Sequence, residues 1–478
     1  MLQANSFGAI NFGHAKLGDR RRTKRLVELV DQIVARPGGT LPQKFRNPAD
    51  LRAFYRLMNC DQVTHEAILA AHRQATISKI SQTPERVLII HDSTELDFTE
   101  HKSLEELGPI GCGTRRGYIT QNSLAVRATN GEPVGLVHQI LHRRENVSKD
   151  ESRSERYRRE NRESLLWVKS CQALPNQPNC VDVCDRGADN FEFIQYEVSN
   201  DRKFVIRSAQ NRRMFVGHDH AEEAPVEKLR DYMESLEAAT TAELELTSKS
   251  ELKRGRGKQP KKQVTRLERK AKLAVSYAPV EILASRTAGS KFTGSVKVWC
   301  VRIWELETPK GQEKLEWLLL TNEPVDTVEK ALEIKGWYEL RWVIEEYHKG
   351  IKTGVRVESP QFTTEERLQP CIALLSITAL TLLQIRDASR QPDAKTRLAT
   401  EVVSSALVEA LSLWRHKRVC PDWTVHDFYL ALARLGGHQN RRSDHPPGWQ
   451  VLWEGWKELL PMWIGYQAAL AKQTCGKT

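Results

Sequence analysis

Two short apolar runs in this chain each stop at an aspartate. Val87–Ile90 leads through His91 to Asp92, and the alternating CVDVC of residues 180–184 leads to Asp185. Such runs are too short for core helices and read as buried strands. If the two strands are neighbours, both acids stand at the same edge of one sheet. Around them, YITQNSLAVRAT and PVGLVHQILHRR flank Asn130-Gly131-Glu132, where Asn-Gly marks a hairpin. A charged helical stretch spans about Ser152 to Leu174, and KFVIRS (203–208) is a further strand. Strand, hairpin, helix, strand, helix, strand is the order of a mixed α/β layer architecture.

The flanks have a different character. The first ~65 residues read as a helical bundle. Asp19 caps a helix through RRRTKRLVELVDQIVAR, with Leu26, Leu29, Val30 and Ile33 on one face. Arg20, Arg21, Arg22, Lys24 and Arg25 crowd its first turns, where cations oppose the helix dipole and need some other benefit. Asn47 and Asp50 suggest a capping box for a second helix, and a third begins near Thr64. Residues 210–316 break the α/β rhythm with alternating segments and the basic loop Lys253–Lys262, and read as a β-rich insertion. Asp326 with Glu329 caps the helical region carrying Tyr338 to Lys352. After about Ala388 the chain is helical and ends rich in tryptophan.

Composition narrows the function classes. The 478 residues call for more than one core. With 40% hydrophobic and 28% charged residues, the chain reads as globular, and a net charge of +11 suits a polyanionic partner. The nine cysteines have no CxxC or zinc-like spacing and read as reduced thiols of a cytoplasmic protein. The N-terminus lacks a secretory apolar region. Cys371–Ile385 is too short to span a bilayer and reads as a buried helix, so no membrane partner is expected.

A third acid joins the pair in WYELRWVIEEYHKGIKTG. At ~100° per residue, Tyr338, Arg341, Glu345 and Lys352 fall within roughly 60° of one another on a helix. Leu340, Val343, Ile344, Tyr347 and Ile351 form a separate apolar stripe. The bland alternative is a solvated face with Arg341–Glu345 pairing worth tenths of a kcal/mol. It leaves Tyr338 and Lys352 on that face unexplained. Three clustered carboxylates repel unless protonated or bound to cations, and their hard oxygens suit Mg²⁺ or Mn²⁺. Two such ions support in-line phosphoryl displacement.

With these residues in view, the chain resembles the DDE transposases of the insertion-sequence-four family, marked by Y-x2-R-x3-E-x6-K. The resemblance runs nearly end to end, through LGDRRRTKRL, CDRGAD, EWLLLTNEPV, RWVIEEYHKGIKTG, ARLGG and LWEGW. It implies a ribonuclease-H-like catalytic core with a β-insertion (67–388, insertion about 210–316). A helical DNA-binding domain (1–66) would precede it and a helical dimerisation domain (389–478) would follow. Asp92, Asp185 and Glu345 would be the metal-binding triad, holding two Mg²⁺ ions that Mn²⁺ can replace. Glu346 is excluded by spacing and Asp97 by its place beyond the strand. Tyr338, Arg341 and Lys352 would contact phosphates beside the cleavage site. Trp317 would stack on a flipped base, Trp342 and Arg207 would lie near the active-site DNA, and Arg21, Arg22 and Arg25 would grip the transposon end. The partners implied are transposon-end DNA, target DNA and a second copy of the chain. The match thins in PQKFRNPADL and VESPQFTTEERL, which leaves the end sequence open.

Rival readings remain at this stage. Trp317 starts a buried strand, where core packing is the default. Lys253–Lys262 is equally a solvated turn, and His218-Asp219-His220 reads as a surface loop before a metal site. Trp449, Trp453, Trp456 and Trp463 share a stripe that either docks on its own chain or forms a dimer interface. A silent DNA-binding regulator and a plain metal-dependent nuclease are the alternatives in function.

Overall fold

In the computed structural model the described residues are 6–36, 38–45, 47–111, 113–148, 150–219, 224–246, 249–253, 261–284, 293–441, 444 and 446–475. The N-terminal helices are α1 (Phe7–Phe12), α2 (Arg20–Ala35), α3 (Leu41–Lys44), α4 (Pro48–Met58) and α5 (His65–Ser81). Strands β1 (Val87–Asp97), β2 (Gly108–Pro109), β3 (Arg116–Arg127) and β4 (Pro133–His142) follow, then α6 (Arg153–Arg158) and α7 (Leu166–Gln172). Next come β5 (Cys180–Cys184), α8 (Phe191–Ser199), β6 (Lys203–Arg207), β7 (Arg213–Val216), β8 (Glu227–Lys228) and α9 (Leu229–Ser235). Five more strands, β9 (Thr240–Leu246), β10 (Lys249–Lys253), β11 (Lys261–Arg266), β12 (Arg269–Leu283) and β13 (Ser295–Glu305), precede β14 (Glu316–Thr321). The chain closes with α10 (Val328–Glu339), α11 (Trp342–Lys349), α12 (Glu365–Thr378), α13 (Leu380–Arg390), α14 (Ser405–His416), α15 (Val425–Leu435) and α16 (Trp449–Cys475). The architecture is mixed α/β with a large mixed sheet.

The described chain divides into two compact units, Met1–Pro84 with Ser93–Asn146 and Val343–Thr478, and Glu85–Asp92 with Val147–Trp342. Strand β1 passes from one to the other between Asp92 and Ser93.

The first unit is mostly helical. Asp19 accepts from the Arg21 N–H at the start of α2, and Thr64 does the same for α5 through Ala67. Leu26, Leu29, Val30 and Ile33 are buried, as the α2 stripe requires. Asn47 caps α4, but Asp50 does not return the bond; it pairs instead with Arg25 and Gln32. The hairpin β3–β4 turns at Asn130-Gly131, where Gly131 has φ 72° and a side chain would be strained. The half-buried His65 and three buried side chains are linked in sequence through this unit: His65 to Gln139 (3.1 Å), Gln139 to Asn122 (2.8 Å) and Asn122 to His348 (3.1 Å). Contrary to the expectation of too short a segment, α12–α13 together (26 residues) are long and apolar enough to cross a membrane, yet their apolar window is 88% buried within the protein, as for a core helix. Trp449 and Trp453 are buried, while Trp456 and Trp463 are half-buried and pack against the core that α14 and α15 share. The tryptophan stripe therefore packs at least in part on its own chain, one of the two readings it allowed.

In the second unit, β1 pairs with β5 and β5 with β6, both parallel. β6, β14, β13 and β12 continue antiparallel, with β7 and β9 on β12. The residues between β6 and β14 supply β7 to β13, the β-rich stretch read from sequence. His218 there donates from Nε2 to the Val298 carbonyl (2.8 Å) and its ring meets Trp299 edge-on, a packing role. His220 and all the side chains of the Lys253–Lys262 loop lie outside the described residues. The 152–174 stretch is not one helix but α6, a short 3-10 turn and α7. Seven cysteines among the described residues are free thiols.

Candidate active site

The parallel register of β1 and β5 places His91 opposite Cys184. Asp92, still within β1, and Asp185, the residue after β5, come next along these neighbouring strands, whose usual spacing is about 4.8 Å. The local sequence fixes Asp185 further. Its Oδ1 accepts from the Gly187 N–H at 2.8 Å and caps a short 3-10 turn. Gly187 lies so close to the Trp167 ring that a Cβ would approach Cζ2 to 2.4 Å, so the CDRG turn requires glycine. Asp189 of the same motif is a structural acid: it accepts from the Ala209 and Gln210 N–H groups and from Arg212.

Three arginines surround the pair. The Arg341 Nη1 lies 3.2 Å from Asp92 Oδ2, with both side chains about five-sixths buried. Arg207 donates to the Glu316 carbonyl at 2.9 Å, and its pKa is lowered, first by burial and also by the charges of Arg186 and Arg341. Arg186, exposed beside Asp185, is a cation that sequence reasoning passed over; its place within CDRGAD was the available signal. Tyr338 sits between these groups. It is 5% exposed, its ring meets Trp317 edge-on at 5.2 Å, and the Arg341 guanidinium lies 5.9 Å from its centroid. Burial raises the Tyr338 pKa, so the hydroxyl stays protonated. Trp317 is half-buried on β14, while Trp342 is 46% exposed.

The helix carrying Tyr338 to Lys352 is not continuous. α10 ends at Glu339, Leu340 and Arg341 form a turn, α11 resumes at Trp342, and Gly350–Gly354 is a π-helical segment. The Arg341 N–H bonds to the Tyr338 carbonyl at 3.1 Å rather than one residue further back. Uniform 100° steps therefore do not extend across the segment, although Val343, Ile344, Tyr347 and Ile351 are buried as the stripe expects. Thr327, not Asp326, caps α10. Glu345 lies in the first turn of α11 and Lys352 in the π segment, both in the first unit. Burial pushes the Asp97 carboxyl up, but the Thr99 hydrogen bonds and the charges of Arg115 and Lys352 outweigh it and hold it low.

Beneath the two acids lies a buried network that the sequence reading missed. Asp182, within CVDVC, accepts from His91 Nε2 at 2.8 Å and from Arg202 at 2.8–3.0 Å. Cys171 Sγ is 3.8 Å from the same His91 nitrogen, and Glu197 lies 3.7 Å from Arg202. Burial pushes the Asp182 carboxyl up, but His91 and Arg202 outweigh it and hold it low; burial raises Glu197 well above the usual range. His91, Cys171 and Asp182 have ligand atoms within 4.8 Å of one another, a spacing a metal ion could use. The Arg202 guanidinium already neutralises Asp182, so the charge balances without an ion. An acid breaking the apolar alternation of CVDVC was the signal that could have revealed it.

In the N-terminal helix, Arg21 is exposed and paired with Asp19, Arg22 bonds Gln62 and the Leu17 carbonyl, and Arg25 pairs with Asp50 and Glu28. Arg20 and Lys24 are exposed beside Arg21, making a basic face.

Among families of known proteins, residues 4–63 match the transposase DNA-binding family. That segment holds α1, α2, α3 and α4 with the basic face of α2. The match supports a transposase that binds transposon DNA through its N-terminal helices.

Proposed function

We propose that the chain is a DDE transposase of the insertion-sequence-four type, acting by cut-and-paste in a bacterial cytoplasm. One observation carries the reading: Asp92 and Asp185 follow directly on paired residues of neighbouring parallel strands. The pairing of β1, β5 and β6 and the β3–β4 hairpin support a ribonuclease-H-like core. On this reading residues 1–66 bind the transposon end, 67–388 carry catalysis and 389–478 serve dimerisation.

The donor set fits hard divalent cations: Asp92 and Asp185, with Glu345 as third carboxylate, offer only oxygen. Bound Mg²⁺, or Mn²⁺ in its place, would lower the pKa of water and offset charge on the phosphate oxygens. Tyr338, Arg341 and Lys352 contact the phosphates beside the cleavage site, and Arg207 lies near the same DNA. Trp317 supplies an aromatic face for a base drawn out of the stack. Trp342 adds exposed aromatic surface near the same DNA. Arg21, Arg22 and Arg25 grip the transposon end. Water attack frees a 3′-hydroxyl, which attacks the opposite strand to form a hairpin; after the hairpin opens, the same hydroxyl joins target DNA.

The test is a supercoiled plasmid carrying the DNA that flanks the coding sequence, incubated with the protein and Mg²⁺. Excised element joined to target DNA is expected. Cutting without joining would make the protein a nuclease, and binding without cutting a regulator.

A further inference from the structure

The Arg341–Asp92 pair has a consequence for how cations enter the site, resting on the metal-binding reading above. The 3.2 Å contact is between side chains largely removed from water, where an ion pair is screened less than at the surface. A divalent cation on that face of Asp92 must compete with the guanidinium. The local charges reinforce the conflict. Arg341 pairs with Asp92, Arg186 adjoins Asp185 in the chain, and Arg207 lies within range of both arginines' charges, so cations already gather near the two acids and a divalent cation adds to them. DNA phosphates supply the missing negative charge and are a strong bidentate partner for arginine. Arg341 stands on the two-residue turn between α10 and α11, outside regular helix, where a side-chain swing disturbs no helical hydrogen bond.

We infer that Arg341 is a tethered cation that occupies Asp92 until a DNA phosphate draws it away, so that divalent-cation binding and DNA binding promote one another through this side chain. Linkage requires the coupling to be reciprocal: whatever factor DNA adds to cation affinity, the cation adds to DNA affinity.

The test measures free Mn²⁺ by electron paramagnetic resonance during titration of the full chain. It is run with and without a duplex from the flanking DNA ending in a 2′,3′-dideoxy nucleotide, so that no joining follows. For the wild type, DNA should tighten Mn²⁺ binding by about tenfold or more, within the usual range of coupling. Arg341→Ala should bind Mn²⁺ about tenfold more tightly than wild type without DNA, and gain little from it. Arg341→Lys, which keeps the charge, should behave like wild type without DNA, and its folding guards against a merely structural effect. Unchanged or weaker Mn²⁺ binding by DNA-free Arg341→Ala overturns the inference. Mn²⁺ binding that survives Asp185→Asn in full would instead remove the metal reading itself, and the inference with it.

Discussion

Cutting the Arg202–Asp182 pair isolates what holds the two acid-bearing strands. Asp182 is 2% and Arg202 3% exposed, and Arg202 contacts Asp182 at 2.8–3.0 Å while also facing Glu197. Arg202→Met leaves Asp182 buried without its guanidinium, and Asp182→Leu leaves the guanidinium beside the Glu197 carboxyl, whose pKa burial raises. Each single change should cost about 3–5 kcal/mol, the usual penalty for stranding a buried charge. The double variant strands none and replaces the pair with packed apolar groups, which is often near neutral. Its cost should therefore fall at least about 2 kcal/mol short of the sum. Because a chain with two units need not unfold in one step, amide hydrogen exchange of β1 and β5 is the suitable assay. The single variants should speed exchange there by roughly two to three decades, and the double by much less. Additive losses in the double variant would refute the argument.

Other consequences follow from individual residues. Burial lowers Lys44 to about 7. Between there and its ordinary value near 10.5 the unfolded chain binds the extra proton, so stability rises with pH across that window. Lys44→Met should remove this slope, at most about 1.4 kcal/mol per pH unit; a gap between variant and wild-type urea midpoints that stays constant from neutral to alkaline pH would contradict it. Trp317→Ala should still nick end DNA but form hairpins poorly, losing about 1–3 kcal/mol of stacking; unchanged hairpin yield with reduced nicking would make Trp317 a packing residue. In α2, Arg21→Ala should lower the salt slope of end binding by about 0.9 for one phosphate contact. Arg25→Ala should also lower the melting temperature, because it releases Asp50; an unaltered salt slope for Arg21→Ala would leave that arginine a solvated one.

What sequence revealed followed from local pattern. Val87–Ile90 and CVDVC are legible because a buried strand needs an apolar run. An acid follows the end of β5, but β1 continues past Asp92 to Asp97, so the acid did not mark its end and Asp97 lies within the strand. The α2 stripe and the Asn130-Gly131 hairpin are legible for similar reasons. The break at Leu340–Arg341 was hidden because the apolar spacing of Val343, Ile344 and Tyr347 runs on as if one helix continued. Asp182 could be placed as a break in alternation, but its partners His91, Arg202 and Glu197 come together only through strand pairing. The tryptophan stripe of α16 gave its face correctly, while the surface it covers depended on the packing of α14 and α15.

The most direct test of the central claim is Mg²⁺-dependent cleavage of flanking-end DNA by Asp92→Ala, Asp185→Ala and Glu345→Ala, with end binding measured alongside. The account predicts that all three bind the end, since that energy comes from remote basic contacts, and that none cuts it. Substantial cleavage by any one of them would contradict its place in the triad.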